Sequence, residues 1–105
     1  MASTKEFLDY VLEQLRDLDE ISYRPMMGEY IIYCQSKVVG GVYDDRFLLK
    51  ATKSALKLLT EEGHEIRMDI PYEGAKEMLA PDIDDKEMCC RLIEAIVEDL
   101  PHKKR

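Results

Sequence analysis

The sequence predicts an α+β domain, a two-layer antiparallel β-sheet packed with three α-helices, in the order α-β-β-β-β-α-β-(β)-α. Amphipathic stripes at helical spacing stand near both ends of the chain. Between residues 21 and 50 lie four short strand-forming runs separated only by turn-like segments. Parallel neighbours need a crossover of about a dozen residues, so strands this close must pair antiparallel.

The first helix is read from Phe7, Leu8, Val11, Leu12, Leu15 and Leu18, which recur at steps of three and four. Asp9, Glu13, Arg16 and Asp17 fall on the opposite face. Ser3 with Glu6 three residues later predicts a capping box. A first strand follows at residues 21–26, and Pro25 places it at a sheet edge or bulge, because proline cannot donate to a ladder. Tyr30-Ile31-Ile32-Tyr33-Cys34 is rich in strand formers. Gln35-Ser36-Lys37 reads as a turn and residues 38–43 as the third strand. The double glycine Gly40-Gly41 predicts a bulge or close packing by a helix. Asp44-Asp45 is the next turn, before a strand over residues 46–50.

Thr52 is expected to cap a second helix running to about Glu62, with Leu56 and Leu59 inward and Gly63 at the C′ position. Ile66, Met68 and Ile70 alternate with Glu65, Arg67 and Asp69, the pattern of a half-buried strand, which Pro71 ends. A turn around Gly74 and a short extended piece at Met78-Leu79 follow. Residues 81–85 lead into the last helix, where Asp84 with Glu87 resembles a capping box. Its buried stripe is Met88, Leu92, Ile93, Ile96, Val97 and Leu100. Leu12, Leu15, Ile32, Phe47, Leu92 and Ile96 are the expected core.

A chain of 105 residues is expected to be a single domain, residues 1–105, ending in a short basic tail at 101–105. Its 46% apolar and 35% charged residues suit a globular protein with an aliphatic core filled by Tyr and Met. The net charge is −7, from 15 basic and 22 acidic residues. Three of the basic residues are Lys103-Lys104-Arg105, so the rest of the chain carries 12 against 22, a balance of −10. Such a domain repels phosphate backbones at long range, so nucleic-acid binding by this chain alone is not expected. Three cysteines, two of them adjacent, do not make a disulfide framework; reduced thiols in a cytoplasmic protein are the simpler reading. Residues 1–6 have no apolar signal core, and no stretch approaches the ~20 apolar residues of a membrane span.

Three segments carry the resemblance to a known family. They are Arg24-Pro25-Met26-Met27-Gly28-Glu29-Tyr30, then the run from Gly41 to Lys50, then Pro71-Tyr72-Glu73-Gly74-Ala75-Lys76-Glu77-Met78. In this order and spacing the chain resembles the TfoX N-terminal domain family, named for bacterial competence regulators. Met27 stands where the family more often has Phe. The resemblance implies a regulatory role and brings no catalytic residue or cofactor. The motif positions Arg24, Pro25, Met26, Gly28, Tyr30, Lys50 and Gly74 read as shape constraints. The family's named regulators have a further C-terminal helical domain; here the chain ends at Arg105, so a stand-alone copy is expected.

The chemical candidates each meet a structural alternative. Cys89-Cys90 lacks the spacing of a metal pair, and His64 and His102 have no partner at ligand spacing; one thiol is expected in the core and the other at its border. His64-Glu65 begins like a zinc-protease motif, but Met68 stands where the second His belongs. Gly74-Ala75-Lys76 lacks the earlier glycine and the hydroxyl residue of a phosphate loop. Arg46, Lys50, Lys53 and Lys57 form a basic cluster, either a contact for an anion or partner or a solvated face. Tyr33 and Tyr43, with Tyr30 and Tyr72 nearby, are candidates for a sheet-face contact. Asp44, Asp45, Asp82, Asp84 and Asp85 are expected to cap turns and a helix start.

The resulting expectation is a non-enzymatic regulatory or protein-interaction domain, without cofactor, whose unidentified protein partner includes a second copy of the chain as one form. Direct DNA binding through the basic cluster is the alternative. An enzyme or small-molecule binder is the reading with least support, since no nucleophile–base pair, metal set or phosphate loop is legible.

Overall fold

The computed structural model describes residues 3–101; His102 and the basic residues Lys103 to Arg105 of the expected tail lie outside the described residues. Three helices and six strands follow in the expected order: α1 (Lys5–Gln14), β1 (Ile21–Met26), β2 (Glu29–Cys34), β3 (Lys37–Tyr43), β4 (Arg46–Leu49), α2 (Lys53–Glu61), β5 (Met68–Asp69), β6 (Met78–Leu79) and α3 (Lys86–Asp99). The strands form one antiparallel sheet in the order β1-β2-β3-β4-β6-β5.

The first four strands are a meander closed by two-residue turns. Met27-Gly28, Gln35-Ser36 and Asp44-Asp45 all have positive φ at both positions. That is the left-handed pair whose twist matches flanking strands, which is why the hairpins close so tightly. Pro25 lies in β1, which is an edge strand, so its missing N–H interrupts no internal ladder. The register between β2 and β3 slips after Ile32: Ile32 faces Gly40, Tyr33 faces Val38, and Val39 is the extra residue of a bulge. The close approach at the double glycine comes from neighbouring strands rather than a helix. A Cβ on Gly40 would stand 2.2 Å from the Leu48 carbonyl oxygen, and one on Gly41 would stand 2.7 Å from that of Tyr30.

All three helices cover one face of the sheet. Leu8, Val11 and Leu15 from the first helical segment, Ala55 and Leu59 from α2, and Leu92, Ile93 and Ile96 from α3 join Ile32, Val42, Phe47, Leu49 and Leu79 in one buried cluster. Of the expected core residues only Leu12 is partly exposed; the other five are buried. The helix ends follow their caps. Thr52 caps α2 by accepting from Ala55 N–H, and Gly63, at φ +77°, closes its C-terminus. The Gly63 and His64 N–H groups return to the carbonyls of Thr60 and Leu59, a Schellman arrangement.

Four local expectations are corrected. The cap of α1 is Thr4, whose hydroxyl accepts from Phe7 N–H; Ser3 is instead buried, engaged with the sheet turns. The cap of α3 is Asp85, accepting from Met88 N–H, while Asp84 receives the Tyr10 hydroxyl. The first helix ends at Gln14, so Leu15 and Leu18 pack from the turn that follows. The apolar alternation at Ile66, Met68 and Ile70 does not make a half-buried strand. Only Met68–Asp69 pairs as a strand, and all three side chains are exposed. Met68–Asp69 is the outermost strand of the sheet, and the alternating apolar side chains beside it stay exposed.

Candidate functional site

The second face of the sheet carries no helix among the described residues. The register assigns it Arg24 from β1, Ile31 and Tyr33 from β2, Val38, Gly41 and Tyr43 from β3, Arg46 and Leu48 from β4, and Met78 from β6. Tyr33 and Tyr43 are therefore on one open face, both half-buried. Tyr30 points to the helix side, where its ring meets Tyr23 edge-on at 5.8 Å. Arg24 stacks its guanidinium over Tyr33, 5.9 Å from the ring centroid.

One part of this face is roofed by residues 70–77. Tyr72, 63% exposed, leans on Tyr43 with ring centroids 6.3 Å apart. Gly74 adopts φ +88° in the turn that carries the segment back, with Ala75 N–H bonded to the Tyr72 carbonyl. Beneath it runs an open groove of about 500 Å³, bounded by Val38, Tyr43, Lys50, Tyr72, Ala75 and Met78 among others.

Arg46 holds the roof down. Its Nη1 donates to Asp69 Oδ2 at 2.7 Å and to the Ile70 carbonyl at 2.9 Å. Its Nη2 reaches the Pro71 carbonyl and its Nε the Tyr43 carbonyl, both at 3.2 Å. A guanidinium presents its donors in a planar fork, which is what spanning two strands and a loop requires. The hydrogen bond from Arg46, with that from Ile70 N–H, holds the Asp69 carboxyl below its ordinary range.

The four basic candidates are not brought onto one surface. Arg46 and Lys50 belong to the open-face side of the sheet, with Arg46 engaged as described and Lys50 donating its N–H to the Val39 carbonyl. Lys53 and Lys57 are exposed on α2, on the helix side, and Lys57 lies 3.9 Å from Glu61.

The motif residues are placed as framework. Gly28 supplies positive φ to the first hairpin, Pro25 faces Tyr30 across it, and Met26 is half exposed. Glu29, which sequence reasoning passed over, does more. Its Oε1 accepts from the Ser3 hydroxyl at 2.6 Å and from Asp44 N–H at 3.0 Å. Asp45 completes the latch by accepting from Thr4 N–H at 2.8 Å. These contacts join the start of α1 to two hairpin turns. No local pattern signals them, because the partners lie up to 41 residues apart.

The thiols are poor nucleophiles. Cys89 is buried in the core and burial pushes its pKa up to about 12; burial raises Cys34 and Cys90 as well. Among the described residues no group of three His, Cys, Asp or Glu side chains converges as a metal site, and no helix is long and apolar enough to cross a membrane.

The model of the TfoX N-terminal domain matches residues 13–100. An uncharacterized 12.7 kDa protein from the trpE 5′ region of Spirochaeta aurantia is 33% identical over 84 residues, which cover 78% of this chain and 68% of that protein. The match spans the meander, the roofed face and α3 together, so the chain belongs to the TfoX N-terminal domain family.

Proposed function

We propose that this domain is a non-catalytic regulatory module that acts by binding a protein partner through the open face of its sheet. The observation that carries the reading is the asymmetry of the two faces. One face is buried under three helices; the other leaves Ile31, Tyr33, Val38 and Tyr43 half-buried beside a groove about 500 Å³ in volume. Tyrosines supply apolar area and a polar tip at low entropic cost, the composition that interface centres favour. Three further features support the reading. The thiols are held protonated, Arg46 is committed to the loop it clamps, and the motif residues hold backbone rather than converge on a reacting centre.

A photo-crosslinking residue placed at Tyr33 or Tyr43 in cells tests this against the same residue placed at Lys57 on the helix side. Discrete adducts confined to the sheet-face positions are the expected result. Adducts at Lys57 alone, or none at any position, would overturn the assignment of the face.

A further inference from the structure

The two edges of the sheet differ. The edge at β5 is two residues long and is flanked by Glu65 and Arg67, with Asp69 inside it. Short, charged edges resist pairing. The edge at β1 is six residues long, holds no carboxylate, and is exposed from Ser22 to Met26. Gln35 N–H bonds the Glu20 carbonyl, which fixes the phase of the ladder: even-numbered residues of this segment bond inward to β2. The backbone groups of Ile21 and Tyr23 and the carbonyl of Pro25 therefore point outward, away from the sheet.

The side chains alternate in the same register. Ile21, Tyr23 and Pro25 belong to the helix side, and Ser22, Arg24 and Met26 to the open side. On the helix side the β1 edge borders a groove of about 620 Å³, whose apolar lining is Leu12, Leu15, Leu18, Ile21 and Tyr23. Tyr23 is 40% exposed there. The edge thus asks for a strand that is apolar on alternate residues towards this groove and polar on the others. β1 itself has that pattern from Ile21 to Pro25, with Met26 at its end the exception.

We infer that the β1 edge is a self-association site, at which a second copy of this chain adds its own β1 antiparallel about a two-fold axis at Tyr23. This goes beyond the open-face reading, since it uses the edge rather than the face. In this register Tyr23 and the partner's Tyr23 exchange both backbone hydrogen bonds. Ile21 N–H donates to the carbonyl of the partner's Pro25. The N–H that proline lacks leaves only the Ile21 carbonyl to water, a tolerable loss at the end of a ladder. Arg24 falls opposite the partner's Ser22 and diagonal to the partner's Arg24, two cations on the exposed open side where water screens them. The hairpin tip, with Met27 97% exposed, falls beside the segment of the other copy that holds the partner's Asp19, at the mouth of the apolar groove. That placement accounts for an apolar side chain held almost wholly in water at φ +53°.

Sedimentation of the whole chain from micromolar to hundred-micromolar concentration is the first test, and reversible dimerisation within that range is expected. Tyr23→Lys sets two like charges side by side across the axis and should weaken the dimer about tenfold or more. Circular dichroism confirms that this variant folds. Tyr23→Cys provides a test that does not depend on loss. Directly opposed residues of a hydrogen-bonded pair have Cα atoms about 5.5 Å apart, within disulfide reach. Mild oxidation should link Tyr23→Cys into a covalent dimer, and should link Ser22→Cys, which faces the partner's Arg24, far more slowly. A chain that is monomeric at every concentration and forms no crosslink at position 23 would overturn the inference. So would a dimer that Tyr23→Lys leaves intact, or an edge that captures only an unrelated added strand peptide.

Discussion

Replacing Gly40 with alanine tests the meander at its tightest point. Gly40 sits in β3 opposite Leu49, in a backbone conformation that alanine can adopt, so only space is at stake. The new Cβ would stand 2.2 Å from the Leu48 carbonyl oxygen, 2.9 Å from Leu49 Cα and 3.0 Å from Leu49 Cδ2. Two of these are backbone atoms, which cannot rotate away, so β4 must shift from β3. Overpacking typically costs about 1–3 kcal/mol, and a backbone clash this close belongs at the upper end. Restricting the unfolded chain returns about 0.4–1 kcal/mol. The net is about 2–2.5 kcal/mol, or a fall in Tm of roughly 10–20 °C for a domain of this size. Gly63→Ala is the internal comparison. Nothing lies within 4 Å of its Cβ, and the cost is the left-handed φ of +77° alone. That is worth about 1 kcal/mol, or roughly 4–8 °C. Thermal and urea melts of both variants at neutral pH decide the matter. A Gly40→Ala protein no less stable than Gly63→Ala would refute the close β3–β4 approach and the register that produces it.

Three further outcomes are expected. Leu92→Ala removes a fully buried side chain at the centre of α3 and should cost about 2–5 kcal/mol in urea unfolding, with Leu12→Ala, at the border of the core, costing less. The Asp69 carboxyl is held below its ordinary value of 3.8 by Arg46, so its contribution is complete above the unfolded pKa and is lost as pH falls through the lower folded one. Tm measured from pH 7 down to about 2 should therefore fall less steeply at the acid end in Asp69→Asn than in the wild type. Anisotropy titration with duplex DNA at physiological salt should show no sub-micromolar binding, given the −10 balance before the tail and the separation of Lys53 and Lys57 from Arg46. Tight, salt-sensitive binding abolished by charge reversal at Lys53 and Lys57 would contradict it.

The sequence by itself determined what local physics determines. Helical spacing located α1, α2 and α3, because burying one stripe of a helix needs no knowledge of what lies opposite. The close strand runs forced an antiparallel meander, and Thr52 and Gly63 marked the ends of α2 through bonds spanning only a few residues. Pro25, lacking a donor, confined the first strand to a sheet edge or a bulge, and the fold makes it the edge.

Tertiary structure decided whatever depends on distant partners. Ser3 and Glu6 had the spacing of a capping box, but Thr4 holds the cap, because the turn at Asp45 and the carboxylate of Glu29 claim Ser3. Ile66, Met68 and Ile70 alternate like a buried strand yet lie exposed, because alternation states a period and not what faces it. Arg46 looked like part of a basic surface until the fold brought Asp69 and the carbonyls of Ile70 and Pro71 within reach of its guanidinium. Tyr33 and Tyr43 share an open face only because the bulge at Val39 restores their phase. Short-range hydrogen bonds and periodic burial are written in neighbouring residues, whereas which face stays open is set by how helices far apart in sequence choose the same side.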